Sequence, residues 1–130
     1  GKHAVVVGRS TLVAKPTALA LLNQDATVTI AHSKTENLEQ IKKLADILVT
    51  AVGKVKIKTK NHVKEGQTVV DVGINVTRQN DGKNVLSGDV DFENVKDIVS
   101  AISPVPGGAG PMTVASLFQN LLKAYKQQNA

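Results

Sequence analysis

The sequence predicts an α/β domain: a doubly wound parallel sheet with helices on both faces and one short hairpin arm. Three features carry this expectation. Short runs of β-branched and apolar residues alternate with segments whose apolar positions recur at helical spacing. Those runs are continuously apolar, as strands buried on both faces must be. The length, 130 residues and 13.7 kDa with 42% hydrophobic side chains, supports one core spanning residues 1–130 and is too short for two full-sized domains.

In chain order, His3 to Val7 is a β-branched run that stops at Gly8. Pro16 to Asn23 reads as a helix with proline in its first turn, where no amide hydrogen is needed. Thr27 to Ala31 is a second strand, and Asn37 to Ala45 carries Leu38, Ile41, Leu44 and Ala45 at helical spacing. Ile47 to Val52 and Thr68 to Val72 are further strands, ended by Gly53 and Gly73. Phe92 to Ser100 is expected to be helical, Ile102 begins a last short extended segment, and Pro111 to Gln127 is the longest helix. The rhythm breaks between Gly73 and Phe92. There Ile74, Asn75 and Val76 are followed by a polar stretch with Asp81-Gly82 and then by Val85-Leu86, the pattern of a hairpin turned by Asp-Gly. Such an arm is surplus to a doubly wound sheet and reads as an interface device.

Composition removes several function classes. The absence of cysteine excludes a disulfide framework, a thiol nucleophile and cysteine-bound metal centres, and it suits a reducing compartment. The longest apolar stretches, Ala18 to Leu22 and Ile47 to Val52, are far shorter than the roughly 18 residues a membrane helix needs. No signal-peptide pattern opens the chain, so a soluble, cytoplasmic protein with no membrane partner is expected. The 16 basic and 11 acidic side chains give a net charge of +5 and a pI near 9.6. Lys54, Lys56, Lys58, Lys60 and Lys64 account for the whole excess, and the first four alternate with Val55, Ile57 and Thr59, the pattern of a solvated or edge strand protected by lysine. Phe92, Phe118 and Tyr125 are the only aromatic residues, too few to stack bases, so no nucleic-acid partner is expected. His3, His32 and His62 have no ligand spacing, and no metal site is expected.

Candidate chemistry lies in three places. The first strand-to-helix turn runs Gly8-Arg9-Ser10-Thr11-Leu12-Val13-Ala14-Lys15-Pro16. Its glycine permits a tight turn, and unpaired N–H groups at a helix start attract an anion, as in the phosphate cradle of a Rossmann unit. Ser10 and Val13 stand where the second and third glycines of the G-x-G-x-x-G fingerprint belong, so the turn alone leaves a structural turn and a dinucleotide site both open. The end of the second strand favours the dinucleotide. A domain selective for NAD places Asp or Glu there to bind the ribose hydroxyls, whereas this chain has Ala31-His32-Ser33-Lys34-Thr35, with no acid before Glu36. A hydroxyl flanked by His32 and Lys34, with Arg9 in reach, suits the 2′-phosphate of NADP. Ser33 with Glu36 also has the form of a helix capping box, a role that does not exclude the first.

The third place is Pro104-Val105-Pro106-Gly107-Gly108-Ala109-Gly110-Pro111-Met112-Thr113. Its density of proline and glycine gives a rigid loop with exposed backbone, and at the carboxyl end of a strand such a loop lies where α/β sheets bind ligands. Asp89 and Asp91 share one side of an extended segment, a paired-carboxylate geometry, yet Asp91 before Phe92 also fits a helix N-cap. Asp71, inside an apolar strand, reads as a buried, hydrogen-bonded acid with its role open.

Six ordered strings then resemble one family. They are Val7-Gly8-Arg9-Ser10 with Val13 and Pro16; His32-Ser33-Lys34-Thr35; Ala45-Asp46-Ile47-Leu48 leading to Ala51-Val52-Gly53-Lys54; Val70-Asp71-Val72-Gly73-Ile74-Asn75; Gly88-Asp89-Val90-Asp91-Phe92; and Pro104 to Thr113. Together they look like the C-terminal, NADP-binding half of bifunctional methylenetetrahydrofolate dehydrogenase/methenyltetrahydrofolate cyclohydrolase. The resemblance runs from Gly1 to about Lys126, and its P-x-P-G-G-x-G-P-M-T string is highly specific. It implies that Gly8, Arg9 and Ser10 meet the cofactor's pyrophosphate, that Arg9 and Ser33 meet the 2′-phosphate, and that the Ile74 backbone meets the nicotinamide end. It further implies that Pro106, Gly107, Gly108, Ala109 and Gly110 border the folate, with Thr113 on the cofactor side at the following helix start.

Two departures stand out: Ala14 replaces a glycine usual in the cofactor loop, adding a methyl on the ligand side, and Val55-Lys56 replace a Pro-Gly. Family members also carry an N-terminal catalytic domain, whose Tyr-x-x-x-Lys lysine acts in both reactions. Here the one tyrosine is Tyr125 and Asn129 stands four residues on, so no catalytic residue is assigned and the chain looks like a fragment. The resemblance thus implies an NADP-binding domain, inactive alone, of a cytoplasmic homodimeric enzyme acting on tetrahydrofolate derivatives in one-carbon metabolism and purine biosynthesis. A free-standing NADP-binding regulatory module is the other reading.

Overall fold

The computed structural model describes residues 1–53 and 60–130. In chain order its elements are β1 (His3–Val7), α1 (Ala14–Leu22), β2 (Thr27–Ala31), α2 (Leu38–Leu44), β3 (Ile47–Thr50), β4 (Thr68–Asp71), β5 (Asn75–Arg78), β6 (Asn84–Ser87), α3 (Phe92–Val95), β7 (Ala101–Ile102) and α4 (Ala109–Gln128), with a 3-10 turn at Lys60–His62. Five strands form a parallel sheet in the order β2-β1-β3-β4-β7. The chain steps from β1 outward to β2 and then crosses to the other side of β1 for β3. That reversal opens a crevice beyond the carboxyl ends of β1 and β3, the usual ligand position in doubly wound sheets. Register brings three segments to its rim, because Val7 pairs with Ala31 on one side and Thr50 on the other.

Successive side chains of a strand point to opposite faces, so each apolar run feeds two cores. Val5, Val7, Leu48 and Val69 pack on one face with Val95 and Val99 and with Leu38 and Ile41 of α2. Val6 and Val49 pack on the other with Ala14 and Ala18 of α1. This is the doubly wound α/β architecture that continuous apolar strands imply. Its second face is covered unevenly. Residues 110–130 are all exposed, and Leu117, Phe118, Leu121 and Tyr125 of α4 each show more than 60% of their surface. Between α1 and the start of α4 an apolar groove of about 820 Å³ remains, with Val49 and Val70 in its floor. Among the described residues no helix is long and apolar enough to cross a membrane.

Several boundaries differ from expectation for physical reasons. Both α1 and α4 begin two residues before their prolines, Pro16 and Pro111. The first four N–H groups of a helix lack a partner within it, so proline is tolerated anywhere in that turn and does not mark the first residue. Helix α3 is a single turn ending at Val95, not at Ser100, because the N–H groups of Ile98 and Val99 both donate to the Val95 carbonyl and close the chain into a turn. Asp91 stands at the N-cap position of α3, but its carboxylate takes the Asn94 side-chain amide at 2.7 Å and no backbone N–H. The lysine-rich edge strand and Val55-Lys56 fall on residues 54–59, outside the described residues, while Lys60 lies in the 3-10 turn.

The hairpin forms as expected, as a separate antiparallel sheet pairing Asn75 with Ser87 and Arg78 with Asn84. Gly82, at φ +81°, donates to the Gln79 carbonyl at 2.9 Å, and Gln79 donates to Lys83 at 2.8 Å. Glycine thus takes the left-handed position of a longer turn that also includes Asn80.

At the amino end of the sheet, buried Gln67 donates from Nε2 to the carbonyls of Lys42 and Ala45, both at 2.8 Å, adding a second bond to the Lys42 oxygen, which already accepts the Ala45 N–H at 3.3 Å. Nearby, Lys42 Nζ donates to His62 Nδ1 at 3.2 Å and His62 Nε2 faces Glu39 Oε1 at 3.3 Å. Neutral imidazole satisfies both contacts, whereas a proton on Nδ1 would oppose the Lys42 ammonium. Burial, reinforced by Lys42, accordingly holds His62 below its ordinary pKa of 6.5.

Two expected outcomes follow from this packing. Leu48, fully buried between α2 and the sheet, should cost about 2–5 kcal/mol on Leu48→Ala, and exposed Leu121 no more than about 0.5 kcal/mol on Leu121→Ala; denaturant unfolding checks both. Because the folded-state pKa of His62 lies below 6.5, its contribution is fully present above that pH and is lost as pH falls through the folded value. Thermal melts at about pH 7.5 and about pH 5.5 should therefore show a smaller drop for His62→Gln, which keeps a donor and an acceptor but does not titrate.

Candidate functional site

The crevice at the β1/β3 reversal is built on one close backbone approach. Gly8 has φ +143° and donates to the Ala31 carbonyl at 2.8 Å, and a Cβ on it would lie 2.5 Å from the Ala51 carbonyl oxygen. Any other residue would force the ends of β1 and β3 apart. The helix start behind it is not bare. Ser10 Oγ accepts the N–H groups of Val13 at 3.2 Å and Ala14 at 3.1 Å, a cap of a kind worth about 1 kcal/mol. The oxygen serves the helix while the hydroxyl hydrogen stays available to an anion. Two expected donors are therefore replaced by one O–H, and Ser10 at the second fingerprint glycine gains a physical reason. Ala14 departs from expectation too: its methyl is fully buried against Val6 and Val49, in the core and not in the ligand's path.

Ser33 does not cap a helix. Helix α2 starts at Leu38 behind Asn37, which sits at φ +52° with no side-chain cap bond. The chain from His32 to Thr35 closes on itself instead, His32 N–H donating to Thr35 Oγ1 and Thr35 N–H to the His32 carbonyl, each at 2.9 Å. That turn holds Ser33 at the rim of a crevice of about 250 Å³ lined by Gly8, Arg9, Ser10, His32, Ser33 and Val52. A guanidinium, two hydroxyls and an imidazole with no carboxylate among them form a donor set that fits a phosphorylated ligand.

A second cavity of about 270 Å³ opens where β4, the hairpin and the loop after β7 meet. Val72, Ile74, Leu86, Pro104 and Val105 supply apolar walls, and among the described residues Asp71 is its one acid. Gly108 is required there, since a Cβ would lie 2.3 Å from the Pro104 carbonyl oxygen. The proline–glycine loop is shorter than expected, because Ala109 and Gly110 already belong to the first turn of α4. Thr113 donates its hydroxyl hydrogen to the Ala109 carbonyl one turn back, at 3.0 Å. The residues singled out from the sequence thus divide between two neighbouring cavities: Gly8, Arg9, Ser10 and Ser33 in the first, and Ile74, Pro106 to Gly110 and Thr113 in the second.

What sequence reasoning missed lies beside them. Asp89 pairs in space with Asp71 and not with Asp91, and both acids are buried. Asp71 Oδ1 accepts Thr50 Oγ1 at 3.2 Å, Gly73 N–H at 2.9 Å and Asp89 N–H at 3.1 Å, while Oδ2 accepts Val90 N–H at 2.8 Å. Asp89 Oδ2 accepts Val52 and Gly53 N–H at 2.8 and 3.1 Å, and Oδ1 accepts Asn75 Nδ2 at 2.9 Å. Two glycines make the room: a Cβ on Gly73 would lie 2.2 Å from the Asp89 carboxyl carbon, and one on Gly88 2.0 Å from an Asp71 oxygen. The available signal was an acid inside an apolar strand two residues before a glycine, repeated in mirror order as Gly88-Asp89.

Comparison with known proteins identifies the family. Residues 1–129 match the family model described as tetrahydrofolate dehydrogenase/cyclohydrolase, NAD(P)-binding domain. The bifunctional protein FolD of Methanoculleus marisnigri is 61% identical over 126 residues, covering 97% of this chain and 43% of the relative. That of Caldicellulosiruptor saccharolyticus is 59% identical over 129 residues, covering 99% and 45%. The chain therefore spans less than half the length of these curated relatives. Among solved structures, the FolD methylenetetrahydrofolate dehydrogenase/cyclohydrolase of Campylobacter jejuni superposes with a TM-score of 0.90 at 48% identity, over 98% of this chain and 44% of that one. The Trypanosoma brucei enzyme, solved with NADP cofactor and inhibitor, gives 0.90 at 38% identity over 98% and 44%. The chain belongs to the family of NAD(P)-binding domains of tetrahydrofolate dehydrogenase/cyclohydrolase.

Proposed function

We propose that this chain is the NADP-binding domain of a bifunctional enzyme that oxidises methylenetetrahydrofolate to the methenyl compound and hydrolyses that product to formyltetrahydrofolate. The observation that carries the reading is the acid-free crevice at the β1/β3 reversal, where Arg9, Ser10 and Ser33 meet. An NAD-selective site would need a carboxylate on the ribose hydroxyls at this rim. The NADP held by the Trypanosoma brucei relative supports the same cofactor. In this reading Gly8, Arg9 and Ser10 hold the pyrophosphate, Arg9 and Ser33 the 2′-phosphate, and the Ile74 backbone and Thr113 the nicotinamide half. Pro106, Gly107, Gly108, Ala109 and Gly110 border the folate. When bound, the dinucleotide supplies the hydride acceptor.

The second cavity supports a division of labour with residues outside this domain. Asp71 is the one acid in its lining, and both its oxygens already accept hydrogen bonds from the fold. Among the described residues, no side chain lining the cavity is free to move a proton. The domain binds and orients, and the proton-handling group comes from elsewhere in the enzyme. The reading carries with it a cytoplasmic role in one-carbon metabolism and purine biosynthesis. It also includes a homodimer made through the β5–β6 arm, whose Val76, Val85 and Leu86 are 62%, 40% and 44% exposed. A two-stranded hairpin is marginal in water unless it packs elsewhere, and pairing across a two-fold axis would meet that need.

Titration calorimetry tests the cofactor assignment: Arg9→Ala should cost about 1–3 kcal/mol for NADP⁺ and far less for NAD⁺, and equal losses would refute it. Given methylenetetrahydrofolate and NADP⁺, the chain by itself should show no turnover above background; measurable dehydrogenase or cyclohydrolase rates would contradict the division of labour. Sedimentation equilibrium should find a dimer that Gly82→Val dissociates, since φ +81° at that turn excludes a β-branched residue. A monomer at high micromolar concentration, or a dimer indifferent to the change, would remove the arm from the interface.

A further inference from the structure

We infer that Asp89 is a positioning residue for the dinucleotide, holding the adenosine-side crevice and the nicotinamide-side cavity at a set spacing. The inference rests on the dinucleotide reading above and extends it to a residue that touches neither ligand half. Its carboxylate stands between the two cavities. One oxygen takes the N–H groups of Val52 and Gly53, at the end of β3, where Val52 lines the first cavity. The other takes the side chain of Asn75, next to Ile74 of the second cavity.

The tie is built to be short and unyielding. Asp89 is 1% exposed, and its own N–H is held by Asp71 at 3.1 Å. Asp71 in turn is bonded through its backbone N–H to Ser103 Oγ at 2.8 Å, immediately before the proline–glycine loop. One chain of hydrogen bonds therefore runs from the end of β3 through Asp89 and Asp71 to both walls of the second cavity. The ends of β1 and β2, with Arg9, Ser10 and Ser33, lie outside it. Of the first crevice's lining the Val52 backbone is tied to this chain and the phosphate-type donors are not, so a ligand confined there depends on it less than a ligand spanning both cavities, which needs the spacing as well.

This asymmetry separates positioning from plain structural support. The test is calorimetric titration of the chain and of two variants with NADP⁺ and with adenosine 2′,5′-bisphosphate, which carries the two phosphates of the adenosine half alone. Asp89→Asn keeps the side-chain volume but presents an amide to donors that need an acceptor. It should weaken NADP⁺ about tenfold and change the bisphosphate by less than about twofold. Asn75→Ala leaves Val52 and Gly53 held by Asp89 and cuts the link toward Ile74, together with the Asn75 Nδ2 bond to the Gly88 carbonyl at 3.1 Å. It should weaken NADP⁺ by a smaller factor with the same selectivity, and it decides the matter if Asp89→Asn does not fold. Equal losses for the two ligands would mean general structural damage, and undiminished NADP⁺ binding would mean no role; either overturns the inference while wild-type binding leaves the functional reading standing. Failure of the wild-type chain to bind either ligand would bring down that reading and this inference with it.

Discussion

Parallel strands that stop at different heights leave backbone N–H groups with no neighbour to receive them, and here two buried carboxylates receive them. Asp71 and Asp89 together accept bonds from Val52, Gly53, Gly73, Val90, Asn75 and the Thr50 hydroxyl, and Asp71 also accepts the N–H of Asp89. Leaving a buried polar group of this kind unpaired costs roughly 1–3 kcal/mol. The same acids fix the geometry of the ligand edge. They require Gly73 and Gly88 beside them, since a Cβ at either position would overlap a carboxyl group, and they bring the arm, the end of β3 and the segment before α3 to one place. The crevice between β1 and β3 depends on a second approach of the same type, Gly8 against Ala51.

The energetic centre and the functional edge are therefore distinct. Stability comes from the two apolar cores on either face of the sheet, where Leu48, Val5 and Val6 are fully buried. The carboxyl edge contributes hydrogen bonds and shape, and its exposed side chains, Arg9, Ser33 and Ile74, are free to serve a ligand. Helix α4 belongs to neither region. Its apolar stripe lies in solvent although the spacing of Leu117, Phe118, Leu121 and Tyr125 is that of a buried face.

Strand existence was legible because strands covered on both sides carry short runs of apolar residues, as at the centres of β1, β3 and β4. The first crevice was legible for a similar reason: a missing acid after β2 is a chemical statement that survives any detail of packing. Helix starts were less so. Pro16 and Pro111 mark a first turn, not a first residue, and so Ala109 and Gly110 were assigned to the loop. Ala14 was read as adding a methyl on the ligand side because it replaces a glycine of the family's cofactor loop, whereas helical rotation turns that methyl into the core. The burial of Asp71 was legible, but its pairing with Asp89 was not. Each acid has a local explanation, and their joint role appears only once strand ends far apart in sequence converge. Similarly, the pattern of α4 shows that a face is apolar without showing what covers it.

In the proposed reading a dinucleotide lies along the carboxyl edge from the Gly8 turn to Ile74. Amide chemical-shift mapping tests it directly on a chain of 13.7 kDa. Addition of NADP⁺ should move the resonances of Gly8, Arg9, Ser10 and Ser33 together with those of Gly73 and Ile74, and leave the amino end of the sheet, at Asp46 and Gln67, unmoved. Shifts confined to α4, or spread without relation to the two cavities, would contradict it.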